Sequence, residues 1–151
     1  MKCRRQLGCL GMVFAALAAC GVKDPQTGKP NGSTQSNSVM SLQKRLAEIA
    51  GQANGAAPAD IDANTRLDGA RAGPGLRLTS TYTLVNSESN GVNSATFETK
   101  LTPVIKNASC KNPELRPLID QGVVVVLEYR GNDGNPIGTV NINRDICGAI
   151  H

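Results

Sequence analysis

Gly122-Val123-Val124-Val125-Val126-Leu127-Glu128-Tyr129-Arg130, followed at once by Gly131-Asn132-Asp133-Gly134-Asn135, decides the fold class of this 151-residue chain. The aliphatic run is mostly valine, whose branched Cβ is stiff at χ1 and suits a pleated, extended backbone. Its unbroken apolar character predicts a strand covered on both faces. The Gly, Asn and Asp cluster after it is turn chemistry, and Ile137 to Ile146 predicts the returning arm of a hairpin.

Upstream, Asn112-Pro113-Glu114 reads as a helix start, with Asn as cap and Pro at the first position, and Gly122 as its stop. Pro117 limits that element to about one turn. Phe97, Leu101, Val104, Ile105 and Ala108 recur at helical spacing and predict a helix over 94–109, kinked or restarted at Pro103, with a strand as the competing reading. Leu76 to Val85 alternates, with Leu76, Leu78, Ser80, Tyr82 and Leu84 on one side and Arg77, Thr79, Thr81 and Thr83 on the other, the pattern of a half-buried strand. Val39, Leu42, Leu46, Ile49 and Ala53 lie at spacings of three and four and predict an amphipathic helix, capped by Ser38 and ended by Asn54-Gly55. The expectation is an α+β domain: an N-terminal helix, a small antiparallel sheet of about three strands ending in the C-terminal hairpin, and one or two further helices packed on one face.

The first residues read differently. Lys2, Arg4 and Arg5 precede an apolar segment, Leu7 to Ala19, too short to span a bilayer, and this is the anatomy of a secretory signal. The segment closes on Leu17-Ala18-Ala19-Cys20, which resembles the lipobox of bacterial lipoprotein precursors. The resemblance implies a signal peptide over 1–19, diacylglycerol on the Cys20 sulfur, cleavage before Cys20 and a further acyl chain, such as palmitate, on the new amino terminus. Several acyl chains anchor a protein durably where one does not. Gly21 at the next position, rather than Asp, implies sorting to the outer membrane with the domain facing the periplasm. Residues 20–37 are polar and rich in Gly, Pro, Ser and Asn, so a lipidated flexible tether is expected there, about 55 Å long at full stretch. A single domain over 38–151 remains.

Removing the leader changes the electrostatics and the cysteine inventory. The whole chain has 16 Lys plus Arg against 12 acids, but the leader takes Lys2, Arg4 and Arg5 and no acid, so the mature chain is close to neutral. It therefore lacks the general electrostatic footprint of a nucleic-acid binder. Of five cysteines, Cys3 and Cys9 leave with the leader and Cys20 becomes a thioether. Cys110 and Cys147 remain, and in an oxidising compartment they predict one disulfide, worth roughly 4 kcal/mol by loop closure.

Chemistry-bearing patterns are weak. Asp60-x-Asp62-x-Asn64 opens like a calcium loop, but Thr65 stands where Gly is needed and Arg71 where a bidentate Glu is needed. The expected structure is a solvated turn entering a short extended segment, with Asp68-Gly69 as a second turn. The only histidine is the terminal His151, which leaves Ser109 and the Ser87, Ser89, Ser94 group without an evident base. Glu98, Glu114, Asp120 and Glu128 show no paired spacing. Beyond the leader the aromatic residues are Tyr82, Phe97 and Tyr129, too few for a base- or sugar-stacking platform, and the two tyrosines read as core or sheet-surface residues. No catalytic residue, cofactor or metal site is expected. The expected function is a non-enzymatic, lipid-anchored envelope lipoprotein, similar in plan to small secretion-system pilotins and assembly accessories, that binds another cell-envelope protein. The alternative is a periplasmic ligand-binding or enzyme-inhibitory module. An apolar groove along the first helix would favour the former, and a deep pocket with convergent polar groups the latter.

Overall fold

The computed structural model describes residues 32–149, with side chains from 36 onward. The lipobox residues Leu17, Ala18, Ala19 and Cys20, the proposed signal peptide, most of the proposed tether and His151 lie outside the described residues. In chain order the elements are α1 (Gly32–Ala56), β1 (Ala59–Asp60), β2 (Thr65–Ala72), β3 (Arg77–Leu84), a 3-10 turn (Ser89–Gly91), α2 (Ser94–Thr96), a widened π-type turn (Phe97–Leu101), α3 (Thr102–Lys111), α4 (Arg116–Asp120), β4 (Val124–Gly131), β5 (Pro136–Ile142) and α5 (Arg144–Gly148). No described helix is long and apolar enough to cross a membrane.

The sheet has five strands in the order β1-β2-β3-β4-β5, not about three, and it is mixed rather than antiparallel. Its parallel pair is β3 and β4, in register from Arg77↔Val124 to Leu84↔Gly131. A parallel neighbour requires a crossover of a dozen or more residues, and here α2, α3 and α4 form that crossover. The two strands not expected from sequence are β1, only two residues long, and β2, Thr-Arg-Leu-Asp-Gly-Ala-Arg-Ala, which pairs antiparallel with β1 and with β3. Asp68-Gly69 is not a turn but an irregularity within that strand, where the register shifts between Leu67 and Gly69.

The alternation on β3 holds, and the parallel register extends it to β4. Leu78, Val125, Leu127, Val140 and Ile142 face one way and join Leu42, Leu46 and Ala50 of α1, Phe97 of the π-type turn, Cys110 of α3, Leu118 and Ile119 of α4 and Cys147 of α5 in a single core. All helices that reach the core therefore lie on one side of the sheet. Among the described residues no helix covers the second face of β4: Val126, though buried, stands outside the core cluster among the side chains of that face.

Several boundaries move. α1 begins at Gly32 rather than Ser38, and Val39, placed on its buried face by spacing, is 41% exposed while Ala50 is 5% exposed. Asn54 does not end α1. Its side-chain amide donates to Ala70 O (2.9 Å) and its Oδ1 accepts from Ala70 N (2.7 Å), as a neighbouring strand would at the outer side of β2. The predicted helix over 94–109 is present as α2, the π-type turn and α3, with Pro103 in the first turn of α3. Asn112 Oδ1 accepts from Glu114 N and Leu115 N, but it caps a turn over 113–115 at the end of α3; α4 itself starts only at Arg116 rather than Pro113, and Gly122 takes φ +92° at the stop. The final arm ends at Ile142 rather than Ile146, because Asn143 caps α5 by accepting from Ile146 N at 2.9 Å. Cys147 thus sits on α5, not just past a strand, and its disulfide to Cys110 (Cα–Cα 5.3 Å) joins α5 to α3.

The hairpin turn is tied down by Asp133, which accepts from the Ser89 hydroxyl at 2.7 Å and from Asn135 Nδ2 at 3.0 Å. These bonds, the Ser89 one foremost, lower its carboxyl pKa to about 2.

Candidate functional site: an apolar groove beside α3

Three aromatic rings from three elements meet on the helix-covered side of the sheet. Tyr82 of β3 and Tyr129 of β4 are register partners and stack at 5.4 Å between centroids, 22° apart. Phe97, 1% exposed, leans on Tyr129 at 5.6 Å and 58°. It can do so because Gly138 is the β5 partner of Tyr129: a Cβ there would overlap the Phe97 ring.

These rings form the floor of a groove of about 390 Å³. One wall is α3 and the turn before it, contributing Leu101, Ile105, Ala108 and Ser109; the other is the β1–β2 connection and the start of β2, contributing Ile61, Asp62 and Thr65. Leu84, Leu127, Asn112 and Leu115 complete the lining. At the rim Ile61 is 58% and Leu101 37% exposed, beside the exposed Asp62; Val104, outside the lining but three residues beyond Leu101 on α3, is 66% exposed. Exposed large aliphatics grouped around a concave apolar surface mark a binding site more strongly than the same residues scattered.

The groove's polar groups do not assemble an acid–base constellation. Burial pushes the Tyr129 hydroxyl up to about 12, with the nearby Tyr82 and Asp62 adding to the rise. Burial also raises Tyr82, opposed by a hydrogen bond with Ser80. Both phenols are therefore neutral at physiological pH. Asp62 Oδ1 accepts from Asn64 N at 2.7 Å, and Ile61 N donates to Thr65 O, so Asp60-x-Asp62-x-Asn64 folds as the tight turn between β1 and β2. Among the described residues no group of three or more His, Cys, Asp or Glu side chains could hold a metal ion. The four separated acids stay apart: Glu128 binds Arg71 on the opposite sheet face, Asp120 binds Arg116, and Glu98 and Glu114 lie on separate elements.

Ser109, expected in a loop, is a buried residue near the end of α3. Tyr82 and Tyr129, expected as core or sheet surface, line the groove. Ile61 and Leu101 as rim residues were not singled out by sequence. The available signal was an apolar set on 97–108 wider than one helix stripe needs to cover a sheet. The groove lies along α3, not along the first helix.

No family model matches this sequence, and no curated protein matches it. Solved structures do share the fold. A Pseudomonas aeruginosa protein described as secreted superposes with a TM-score of 0.61 at 17% identity, over 72% of this chain and 95% of its own. The pilotin EpsS of the Vibrio vulnificus type 2 secretion system gives 0.61 at 12%, over 74% and 96%. AspS, the type II secretion system pilotin of Vibrio cholerae, gives 0.60 at 15%, over 76% and 99%. At these identities the likeness is one of fold.

Proposed function

We propose that this chain is a lipid-anchored accessory factor of an outer-membrane or secretion complex, and that the groove beside α3 docks an apolar segment of another envelope protein. The observation that carries this reading is the aromatic-floored groove with its exposed Ile61 and Leu101 at the rim, on a fold shared with two type II secretion pilotins. An amphipathic segment laid in such a groove buries its apolar anchors at about 25 cal/mol per Å² while the rim residues exclude water. The volume alone would admit a small ligand. Val104, exposed on the helix that walls the groove, offers further apolar surface to a longer, peptide-like occupant.

The anchor is Cys20, after removal of residues 1–19, and the residues leading to α1 serve as tether. A domain held this way searches for its partner at the periplasmic face of the outer membrane, with the raised effective concentration that tethering provides.

The test is Leu101→Glu in the full chain. The variant is expected to fold, since Leu101 sits at the rim, and to stay with the membrane fraction while losing the envelope protein that co-purifies with the parent. Retention of that partner would refute docking in the groove. Cys20→Ser separately tests the anchor: unchanged membrane fractionation would refute lipidation and leave the groove untouched.

A further inference from the structure

The sheet face turned away from the helices carries cations of one kind. Alternation along β2, β3 and β4 places Arg66, Arg71, Arg77 and Arg130 there, around the stripe Thr79, Thr81, Thr83. Arg66, Thr83 and Arg130 form one row across three strands, about 10 Å from end to end. Three acids share the face: Asp68 pairs with Arg66 at 2.9 Å, Glu128 pairs with Arg71 at 2.6 Å, and Asp60 of β1, the register partner of Arg66, is exposed at the sheet edge, so the face carries four arginines against three acids. Among the described residues Arg77 and Arg130 form no ion pair, and both are exposed. The described lysines lie on the helices, Lys44 on α1, Lys100 in the π-type turn, and Lys106 and Lys111 on α3, as do Arg45, Arg116 and Arg144. The large exposed aliphatics are also elsewhere, on α1, the β1–β2 connection, the π-type turn and α3.

Among the described residues this sheet face carries no helix and no exposed large aliphatic residue to insert, and arginine outnumbers acid on it by one, with Arg77 and Arg130 unpaired. A guanidinium offers a planar fork of donors that matches phosphate oxygens, and it is less strongly hydrated than an ammonium. We propose that this face rests on an anionic phospholipid surface, with Arg77 and Arg130 on headgroup phosphates and Arg66 and Arg71 adding to the field. Contact of this kind is electrostatic and shallow, acting within a Debye length of about 8 Å at physiological salt. It goes beyond the docking function and does not depend on it. With this face on the membrane, the groove on the opposite side of the sheet stays open to a partner.

The experiment uses the mature chain from residue 20 with Cys20→Ser, so that no acyl chain contributes; the buried core and the disulfide lie wholly within residues 32–149. Sedimentation is measured with phosphatidylcholine vesicles with and without phosphatidylglycerol. Binding is expected to require phosphatidylglycerol and to fall with added salt. Arg77→Gln with Arg130→Gln should lower partitioning roughly 30-fold. The charge-matched pair Lys100→Gln with Lys111→Gln, on the helix side, should leave it unchanged. Binding indifferent to phosphatidylglycerol, an undiminished arginine variant, or equal loss in both pairs would each overturn the proposal. None of these outcomes bears on Leu101 and its partner, so the two readings fail separately.

Discussion

Tyr82 and Tyr129 are partners on parallel strands, their rings stacked at 5.4 Å, although the residues between them build three helices. The stack exists because the crossover returns β4 beside β3 in full register. It also creates the groove, since Phe97, carried by that same crossover, closes on Tyr129 from above.

Gly138→Ala should be costly. The added Cβ meets the Phe97 ring, so the ring must move out of the core or β5 must shift. Overpacking of this kind costs roughly 1–3 kcal/mol. Urea unfolding of the variant is expected to show a midpoint lowered accordingly, and an unchanged midpoint would mean that the ring is not held as described.

Tyr129 sets an alkaline limit on stability. Its folded-state pKa of about 12 lies above the ordinary 10.0, so the native state holds its proton more tightly than the unfolded chain. The stabilisation is complete below pH 10 and declines as pH rises toward 12. Ultraviolet titration of the phenols should show late ionisation, and Tyr129→Phe should flatten the loss of stability over that interval.

What the sequence made legible was whatever is written locally. The valine-rich strand β4, the turn after it, the Asn112-capped turn and the restart at Pro103 each follow from a few adjacent residues. β2 was hidden because Arg66, Asp68, Gly69 and Arg71 resemble a solvated turn. They are tolerable in a strand only through partners distant in the chain: Thr83 donating to Asp68 and Arg71 donating to Glu128. The parallel β3–β4 pairing was equally invisible, because alternation shows which face is buried but not which strand lies alongside. For the groove, all three aromatics were recognised singly, while their meeting depends on that pairing.

Asn54→Ala isolates one such long-range bond pair. It leaves the Ala70 N–H and C=O without the side chain that now satisfies both. A loss of about 1–3 kcal/mol is expected, with faster hydrogen exchange at Ala70 than at its neighbours in β2. Unchanged exchange at Ala70 would argue that α1 does not hold the sheet edge.

Replacing Cys110 and Cys147 together by Ser should destabilise the domain by roughly 4 kcal/mol, because the bond closes a long loop between α3 and α5. Chemical denaturation of the double variant beside the oxidised parent measures this. Equal stability of the two would show that the loop is constrained without the bond.

The most direct test of the docking groove is a photo-reactive residue placed at Ile61 in the full chain and activated in the native envelope. One discrete adduct with an envelope protein is predicted, and Ala108→Phe, which fills the groove from α3, should abolish it while the chain stays folded. An adduct that persists with the groove filled, or no adduct from Ile61 at all, would contradict the account.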